Sequence, residues 1–551
     1  MINFLNKNKY FLLTILLSVI VVIATFEKNI GLIIDCGREA YYPQEILNGK
    51  VLYKDIFNIY SPFAYLFNAF LFKIFGINLK VLCVAGSFCA IGIVLAIFLL
   101  TKKILDDSIA FSISVFTIAI GLVPTYLFNY IFPYAFAVTY GLLAFLISLI
   151  FLVNYVNSKN NIHLYISLFF AGLSIDCKYE FIPYLLVYLP VLYTLKPKFN
   201  TIFIGFLFLC MMPEMSFAYL FAKGLTFSDL QNTLNIIINM SHTQTLKYFY
   251  MNFGVFPNKE TPIALITTFS ALIIPFFIYL TPILFKDKIK NPVIAVILSY
   301  LSICLMILFK NVTARDIYMA LPLVLLVVSL VNYKKIVNNL NVFVVVVSIF
   351  LASLKVFWGI FLNFYGNYYL PIILIALAFL FKDKFTKKEW NSIASYVLIL
   401  TTLTGLVNFR MLFTKPVVVE TQKGKMHVGK IYKTTNNLLE YIEKNTKKTD
   451  KIIILPEGMM INFLSDRKTD DFYNSFIPLY EETFGYTTFR KYFEKNMPEY
   501  VIFNNWVTSD YYFSMNCEDY NIDFCSFIEK NYEQKIKISD GFTYTVYKRK
   551  K

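Results

Sequence analysis

Three charged side chains stand close together near the start of the chain, directly after an apolar segment. These are Asp35, Arg38 and Glu39, and an Asn48-Gly49 turn signal follows them. A carboxylate can accept a proton from an attacking group, and a guanidinium can stabilise a developing negative charge. Charged groups at a membrane surface are solvated easily, so their presence alone does not indicate a functional site. Their density predicts a folded loop that does chemistry at the boundary between water and lipid.

The composition indicates the class of protein that must position this loop. The chain has 551 residues, of which 58% are hydrophobic and only 16% are charged. A soluble globular protein carries roughly 25% charged residues, so we expect a polytopic α-helical membrane protein. The net charge of +16 could suggest nucleic acid as a partner. The basic residues instead gather in short clusters between apolar segments, which is typical of membrane orientation signals, and we expect no nucleic acid.

Long apolar runs predict the membrane helices. Runs of about 20 residues are typical of spanning helices, and about thirteen such segments occur. They run near 9–26, 79–101, 108–127, 132–154, 163–176, 180–195, 199–222, 262–285, 291–309, 316–333, 341–363, 368–382 and 392–412. Lysine clusters between them, such as Lys102-Lys103 and Lys334-Lys335, predict a cytoplasmic N-terminus. The odd number of crossings then places the C-terminal region outside the cell, and the first segment is expected to be an uncleaved anchor.

The chain is expected to divide into two domains. Residues 1–414 form the predicted transmembrane domain, whose first outer loop, 27–78, contains short interfacial helices. Residues 415–551 are polar and predict a small extracytoplasmic α/β domain, with a helix over 430–446, strands over 451–456 and 500–503, and a final hairpin strand over 539–547. Cys517 and Cys525 in this domain could form a disulfide or remain free thiols.

Several motifs together resemble a known family. The motifs are Asp35-x-x-Arg38-Glu39, the Ser61-Pro62 helix ending at Phe75-Gly76, Phe132-Pro-Tyr134, Gly172 to Glu180, and Arg315 to Pro322. With the layout of about thirteen spans and an outer C-terminal domain, they resemble the GT-C glycosyltransferases. The resemblance is to the group that includes protein O-mannosyltransferases and the lipid A aminoarabinose transferase. Leu455-Pro-Glu-Gly458 also resembles the outer domains of such enzymes, where acceptor contact is expected.

The resemblance implies a glycosyltransferase that takes a hexosyl or pentosyl group from a polyprenyl-phosphate sugar. It implies transfer on the outer face of a membrane, expected to be the bacterial inner membrane, to a glycan, lipid or protein acceptor. Direct attack with Asp35 as general base predicts inversion at the anomeric carbon. No cofactor is expected beyond the lipid-linked donor.

The resemblance also implies roles for particular side chains. Asp35 and Glu39 are the expected catalytic residues. The expected substrate-binding residues are Arg38, Lys178, Glu180, Arg315, Asn129 and Tyr134. The loop 125–131 lacks the second acid that related enzymes often carry, so we predict a site that needs no metal. Asn129 there could give a hydrogen bond but no charge, and Glu39 could substitute.

Each assignment has a simpler alternative. Asp35 could be a solvated residue after a helix, Arg38 and Glu39 could be a surface ion pair, and Lys178 could be neutralised by neighbouring acids. Arg315 and Asp316 could cap the next helix. For the whole chain, a multispan transporter or flippase is the alternative function, although no internal repeat is visible. A membrane scaffold that displays its outer domain is the third hypothesis.

Overall fold

Most of the chain is α-helical in the computed structural model. The structure describes residues 2–252, 261–285, 289, 292–308, 321–357, 366–470 and 472–550. The helices of the first 414 residues follow the apolar segments of the sequence. They are α1 Ile2–Thr25, α2 Cys36–Leu47, α3 Phe63–Phe75, α4 Leu79–Ile104, α5 Asp107–Thr117, α6 Phe136–Ser158, α7 Asn161–Cys177, α8 Tyr188–Leu195, α9 Phe199–Ala222, α10 Phe227–His242, α11 Gln244–Asn252, α12 Thr261–Leu284, α13 Pro292–Leu308, α14 Leu321–Val331, α15 Tyr333–Asn338, α16 Leu340–Ala352, α17 Leu354–Phe357, α18 Gly366–Phe381 and α19 Lys387–Arg410.

Some of the predicted spans are shorter or more irregular than the sequence indicated. Among the described residues, five helices are long and apolar enough to cross a membrane, in α1, α4, α6, α9 and α18. The predicted segment 180–195 begins as a 3₁₀ helix, Tyr179–Val187, which contains Pro183 and continues as α8. A proline within a helix removes one backbone hydrogen bond, so a regular α-helix is disfavoured there. The number of thirteen crossings stays a prediction.

The first outer loop contains the two short helices that the sequence predicted. The first, α2, ends at Asn48-Gly49, where Gly49 has a φ of 95° that favours glycine. The second, α3, follows Ser61-Pro62 and ends at Gly76. It buries Tyr65, Asn68 and Phe72 against its neighbours and leaves apolar side chains exposed on its other face. This helix is therefore apolar on its outward side, as expected for a position in the membrane interface.

The C-terminal residues form a small α/β unit. Its elements are β1 Val417–Thr421, β2 Gly424–Val428, α20 Thr434–Asn445, β3 Ile452–Leu455, α21 Met459–Ser465, α22 Pro478–Phe484, α23 Tyr486–Lys495, β4 Tyr500–Asn504, α24 Ile522–Asn531, β5 Tyr532–Ile538 and β6 Tyr544–Arg549. The central sheet has the order β3-β4-β6-β5, in which β3 and β4 are parallel and the other pairs are antiparallel. The predicted helix and the strands over 451–456 and 500–503 are thereby confirmed, whereas the final strand predicted over 539–547 begins at Tyr544. Cys517 and Cys525 form a disulfide.

The first outer loop and the C-terminal unit lie at the same end of the long helices. The backbone N–H of Leu79, the first residue of α4, donates to Lys423 O at 2.8 Å, and that of His427 donates to Glu27 O at 3.0 Å. At 1.5 Å per residue, Lys102-Lys103 in the last turn of α4 lie about 35 Å from Leu79. A cleft at that far end is lined by Lys103, Lys335 and Lys382, so the basic clusters and the outer loop are separated by about a bilayer.

The first outer loop packs directly on the C-terminal unit. Helix α2 contacts α21, and Gly37 lies directly against the backbone of α21. A Cβ atom on Gly37 would lie 2.2 Å from Met460 N and 2.7 Å from Met459 C. Tyr41 on the same helix accepts a hydrogen bond from Thr469 N at 3.1 Å. The helix that follows Asp35 is thus held between the membrane helices and the C-terminal unit, residues 415–550, which we call the outer unit after its predicted location.

Candidate active site

Asp35 stands immediately before α2 in an unusual backbone conformation. Its φ is 55° and its ψ is −58°, a combination that L-residues rarely adopt. Such strain often marks a functional position. The half-buried carboxylate lies 3.2 Å from the Arg38 guanidinium. Burial raises the pKa of Asp35, and the charge of Arg38 opposes this effect. A half-buried carboxylate with a raised pKa is suited to accept a proton.

The Arg38 guanidinium connects α2 to two other elements. It donates to Tyr65 Oη on α3 at 3.0 Å and to the backbone oxygen of Tyr134, before α6, at 3.0 Å. It also lies 3.3 Å from Glu39. Because a guanidinium offers donors in a fixed planar geometry, these contacts fix the direction from which it meets Asp35. Arg38 is therefore held in place before any substrate binds.

Glu39 is fully buried beneath Asp35. It accepts hydrogen bonds from Tyr65 Oη at 2.7 Å and from Phe136 N, at the start of α6, at 2.8 Å. Burial raises its pKa, while Arg38 and these donors favour the charged form. Its oxygens are used to hold α2, α3 and α6 together. We therefore assign Glu39 a positioning role, and its catalytic role stays a prediction.

Lys178 is buried at the end of α7 and reaches the same region. Its ammonium donates to Tyr134 Oη at 2.7 Å and lies 3.2 Å from Glu180. Glu180 also pairs with Lys355, at 2.7 Å. Lys355 falls inside a predicted span, so sequence reasoning missed it. The structure thus brings two ammonium groups to one carboxylate, close to the chain segment that Arg38 contacts.

Tyr60 connects Arg38 to Lys178. The ring centroid of Tyr60 lies 5.2 Å from the Arg38 guanidinium and 5.5 Å from the Lys178 ammonium. Both cations therefore lie against the same aromatic ring, which attracts positive charge. Of the predicted site residues, Asp35, Arg38, Glu39, Lys178, Glu180 and Tyr134 are brought together in one cluster.

The outer unit adds an acid that the sequence-based prediction did not include among the site residues. Glu457 lies in the turn after β3 and lines one pocket with Asp35, Arg38 and Tyr480. It accepts a hydrogen bond from Ser475 Oγ at 2.8 Å. Burial, with the nearby charge of Asp35, raises the pKa of Glu457 to about 8. The only signal in the sequence was the Pro-Glu-Gly turn at the end of a buried strand, the sheet edge where open α/β sheets bind ligands.

The predicted binding residue Asn129 is hydrogen-bonded within its own loop. Asn129 is fully buried, and its amide donates to Asn29 O at 2.9 Å and to Phe132 O at 3.0 Å. Its side-chain oxygen accepts from Ile131 N at 2.8 Å. We therefore assign Asn129 the role of holding its own loop, and substrate contact by it stays a prediction. Arg315 lies outside the described residues.

The described residues contain no group of three or more His, Cys, Asp or Glu side chains that could hold a metal ion. Asp35 and Glu457 are two carboxyl groups on one pocket, and the charge next to Asp35 is supplied by Arg38. The independence from metal and cofactors stays a prediction.

Comparison with solved structures identifies the fold. The oligosaccharyltransferase of Archaeoglobus fulgidus in its apo form has a TM-score of 0.51 at 14% identity, over 91% of this chain and 70% of that one. ArnT from Cupriavidus metallidurans, bound to undecaprenyl phosphate, has a TM-score of 0.45 at 11% identity, over 98% of each chain. The archaeal AglB in complex with an inhibitory peptide and a dolichol-phosphate has a TM-score of 0.44 at 14% identity, over 98% of this chain and 74% of that one.

No family model and no curated protein sequence matches this chain. At 14% identity, the likeness to the oligosaccharyltransferase shows the fold alone. The GT-C fold expected from the sequence is thereby confirmed.

Proposed function

We propose that this protein is an integral-membrane glycosyltransferase that moves a sugar from a polyprenyl-phosphate carrier to an acceptor on the outer face. The observation that carries the proposal is the cluster in which Asp35 meets Arg38 beside the buried Lys178, at the ends of apolar helices. The fold shared with an oligosaccharyltransferase supports a transferase over other classes of membrane protein. Because function does not follow from fold, the proposed activity is inferred from the geometry of this cluster.

Asp35 is the general base of the proposed reaction. The acceptor hydroxyl attacks the anomeric carbon, its proton passes to the Asp35 carboxylate, and the new C–O bond forms. The bond between the anomeric carbon and the phosphate oxygen breaks at the same time, and its electron pair leaves with the polyprenyl phosphate. A single displacement of this kind inverts the anomeric configuration. The product is the glycosylated acceptor, which is a glycan, lipid or protein.

The cations of the cluster stabilise the leaving group. Negative charge grows on the phosphate oxygen as the bond breaks, and fixed positive groups stabilise it most effectively where water is excluded. Arg38 and Lys178 lie against one tyrosine ring, so one phosphate can be reached by both. Their position at the helix ends matches the depth of a lipid phosphate, because the prenyl chain would remain among the apolar helices.

Glu457 binds the acceptor in its neutral form. With a pKa of about 8, its carboxyl is protonated at neutral pH and can donate a hydrogen bond. An ionised carboxylate here would repel both Asp35 and the phosphate of the donor. Since Glu457 belongs to the outer unit, we assign that unit the role of presenting the acceptor to Asp35.

The pocket around Asp35 must widen before it accepts a sugar. It contains about 30 Å³ of free space, which is room for a water molecule rather than a hexose. Its walls come from α2 on one side and from the Glu457 turn and Tyr480 on the other. The outer unit therefore moves away from α2 to admit the substrates and returns toward the contact seen here before transfer, when Asp35 and Glu457 act on one acceptor.

A transfer assay tests the proposal. Purified full-length protein in lipid nanodiscs is incubated with polyprenyl-phosphate mannose, glucose, galactosamine or aminoarabinose and with cell-envelope extract as acceptor. Release of free polyprenyl phosphate is followed by mass spectrometry. We expect release from at least one donor, and only with acceptor present. A lack of release with every donor, together with movement of intact donor across sealed vesicles, would contradict a transferase and favour a flippase.

A further inference from the structure

The cleft at the far end of the long helices, opposite to the Asp35 pocket, has the size of a ligand site. It measures about 340 Å³, which is in the range of cavities that bind small molecules. Three helices that are long and apolar enough to cross a membrane, α4, α6 and α18, end at this cleft. Trp390 donates its indole N–H to Lys382 O on the cleft wall at 3.1 Å, and tryptophan is enriched where a bilayer meets water. The cleft therefore lies at the depth of lipid headgroups.

Positive charge dominates the polar lining of this cleft. Lys103, Lys335 and Lys382 line it, and the only acid among the described residues of the lining is Asp383. Lys335 is held in place, because its ammonium donates to Leu380 O at 2.9 Å and to Asp383 at 2.8 Å. Lys103 and Lys382 are exposed, and a lysine head on its flexible stem can turn toward a bound anion. The cleft is therefore suited to a negatively charged ligand.

The rest of the lining is made of amides and hydrocarbon. Asn341 donates its side-chain amide to Asn157 Oδ1 at 2.9 Å, and both residues line the cleft. Ile104, Val153 and Val342 also line it and are buried. Cationic side chains thus lie next to apolar ones at the ends of membrane helices. A ligand that joins an anion to apolar atoms matches such a lining better than an inorganic ion does.

We propose that this cleft binds the phosphate headgroup of an anionic phospholipid from the surrounding leaflet. Ammonium groups form charge-assisted hydrogen bonds with phosphate oxygens, and basic pockets between membrane helices suit anionic headgroups. A zwitterionic headgroup carries its own cation, which the lysines of the cleft would repel. The cleft shares no lining residue with the Asp35 pocket. The inference therefore goes beyond the proposed transfer reaction, because lipid binding here needs neither the sugar donor nor turnover.

Native mass spectrometry of the full-length protein tests the site. The protein is titrated in detergent with phosphatidylglycerol, with phosphatidylcholine of the same acyl chains, and with glycerol 3-phosphate as a soluble phosphate. We expect phosphatidylglycerol to bind about tenfold more tightly than either of the other two probes. Equal binding of the two lipids would overturn the proposed charge recognition. Equal binding of glycerol 3-phosphate and phosphatidylglycerol would assign the cleft to a soluble phosphate and would also overturn the proposal.

Two matched glutamine variants locate the binding on the protein. The test variant loses the three lysines of the lining, by Lys103→Gln, Lys335→Gln and Lys382→Gln. The control variant loses the three nearest lysines outside the lining, all of them exposed, by Lys102→Gln, Lys334→Gln and Lys384→Gln. Phosphatidylglycerol binding should weaken about tenfold or more in the test variant and should stay near that of wild type in the control. Equal losses in the two variants would overturn the proposed site, because the lysines would then act only through the general charge of this surface.

Arginine at the three lining positions separates charge from structure. This variant keeps the positive charge, so it should bind phosphatidylglycerol about as well as wild type does. The lipid should raise the thermal midpoint of wild type and of the arginine variant, because a ligand that binds the native state stabilises it. A folded arginine variant that binds no better than the glutamine variant would overturn the role of positive charge. None of these results bears on the transfer reaction at Asp35, because no sugar donor is present.

Discussion

The proposed mechanism requires the carboxyl groups of Asp35 and Glu457, which line one pocket, to differ in protonation. Asp35 has Arg38 at 3.2 Å, which favours its charged form. Glu457 accepts a side-chain hydrogen bond from the neutral hydroxyl of Ser475, and burial raises its pKa to about 8. When environments separate the protonation of two acids in this way, one can act as a base while the other stays neutral. Asp35 then takes the proton and Glu457 holds the acceptor.

The pH dependence of turnover tests this division of roles. Activity should rise with pH as Asp35 loses its proton, and it should fall above about pH 8 as Glu457 becomes charged. Glu457→Gln keeps a neutral side chain of the same shape, so it should retain turnover at neutral pH and remove the alkaline fall. The measurement is the initial rate of polyprenyl phosphate release from pH 5 to pH 10. Loss of activity at neutral pH in Glu457→Gln would contradict the assignment, because proton transfer would then belong to Glu457.

Among the elements, the contact between α2 and α21 sets the distance between the two halves of the pocket. Gly37 permits the backbones to approach, since a Cβ there would lie 2.2 Å from Met460 N. The segment on α2 that contains Asp35, Arg38 and Glu39 therefore meets the outer unit at a fixed separation. A backbone neighbour cannot move aside as a flexible side chain can.

Gly37→Ala should separate α2 from α21. Overpacking of this kind typically destabilises by about 1–3 kcal/mol, so the thermal midpoint should fall, and turnover should fall about tenfold because Glu457 moves away from Asp35. Gly405→Ala is the matched control, because among the described residues its Cβ would meet only Ala119 Cβ, at 3.7 Å. The assay is differential scanning fluorimetry alongside polyprenyl phosphate release. Wild-type stability and turnover in Gly37→Ala would show that the contact does not position the site.

The sequence predicted these elements better than it predicted the contacts between them. Apolar length located the long helices α1, α4, α6, α9 and α18, and the Asn48-Gly49 and Ser61-Pro62 signals located α2 and α3. Lys355 lies within an apolar segment that was predicted to span the membrane, so it was not predicted as a site residue. Glu457 lies more than 400 residues from Asp35 in the chain. Their proximity arises from tertiary packing, which has no local pattern. Asn129 was assigned from its residue type, whereas its environment shows an amide used by its own loop.

In the molecule as a whole, the lysine clusters and the Asp35 pocket lie at opposite ends of the long helices. The outer loop and the C-terminal unit lie at one end of α4, and Lys102-Lys103 lie in its last turn, about 35 Å away. Basic clusters face the cytoplasm in membrane proteins. We therefore propose that the Asp35 pocket lies on the outer face and that the N-terminus lies in the cytoplasm. The bacterial inner membrane is the location that we propose.

Cysteine labelling tests this orientation. Lys447→Cys is exposed in the outer unit, and Lys103→Cys is exposed at the other end of α4. In intact cells, a membrane-impermeant maleimide should label Lys447→Cys at once and Lys103→Cys only after permeabilisation. Wild-type protein gives the background from Cys210 and Cys304, which are partly exposed. The reverse labelling pattern would place the pocket inside the cell and contradict an outward-facing reaction.

The role of Asp35 as general base is tested by comparing the release of polyprenyl phosphate by Asp35→Asn with that by wild type. Loss of a general base typically lowers the rate by about 10²–10⁴, so Asp35→Asn should lose at least about a hundredfold in turnover. Its thermal midpoint should stay near that of wild type. Asp107→Asn, an exposed acid paired with Lys102 at 3.0 Å at the far end of the helices, should keep full turnover. Near-normal transfer by Asp35→Asn would contradict the proposed mechanism, because the carboxylate would then have no part in the reaction.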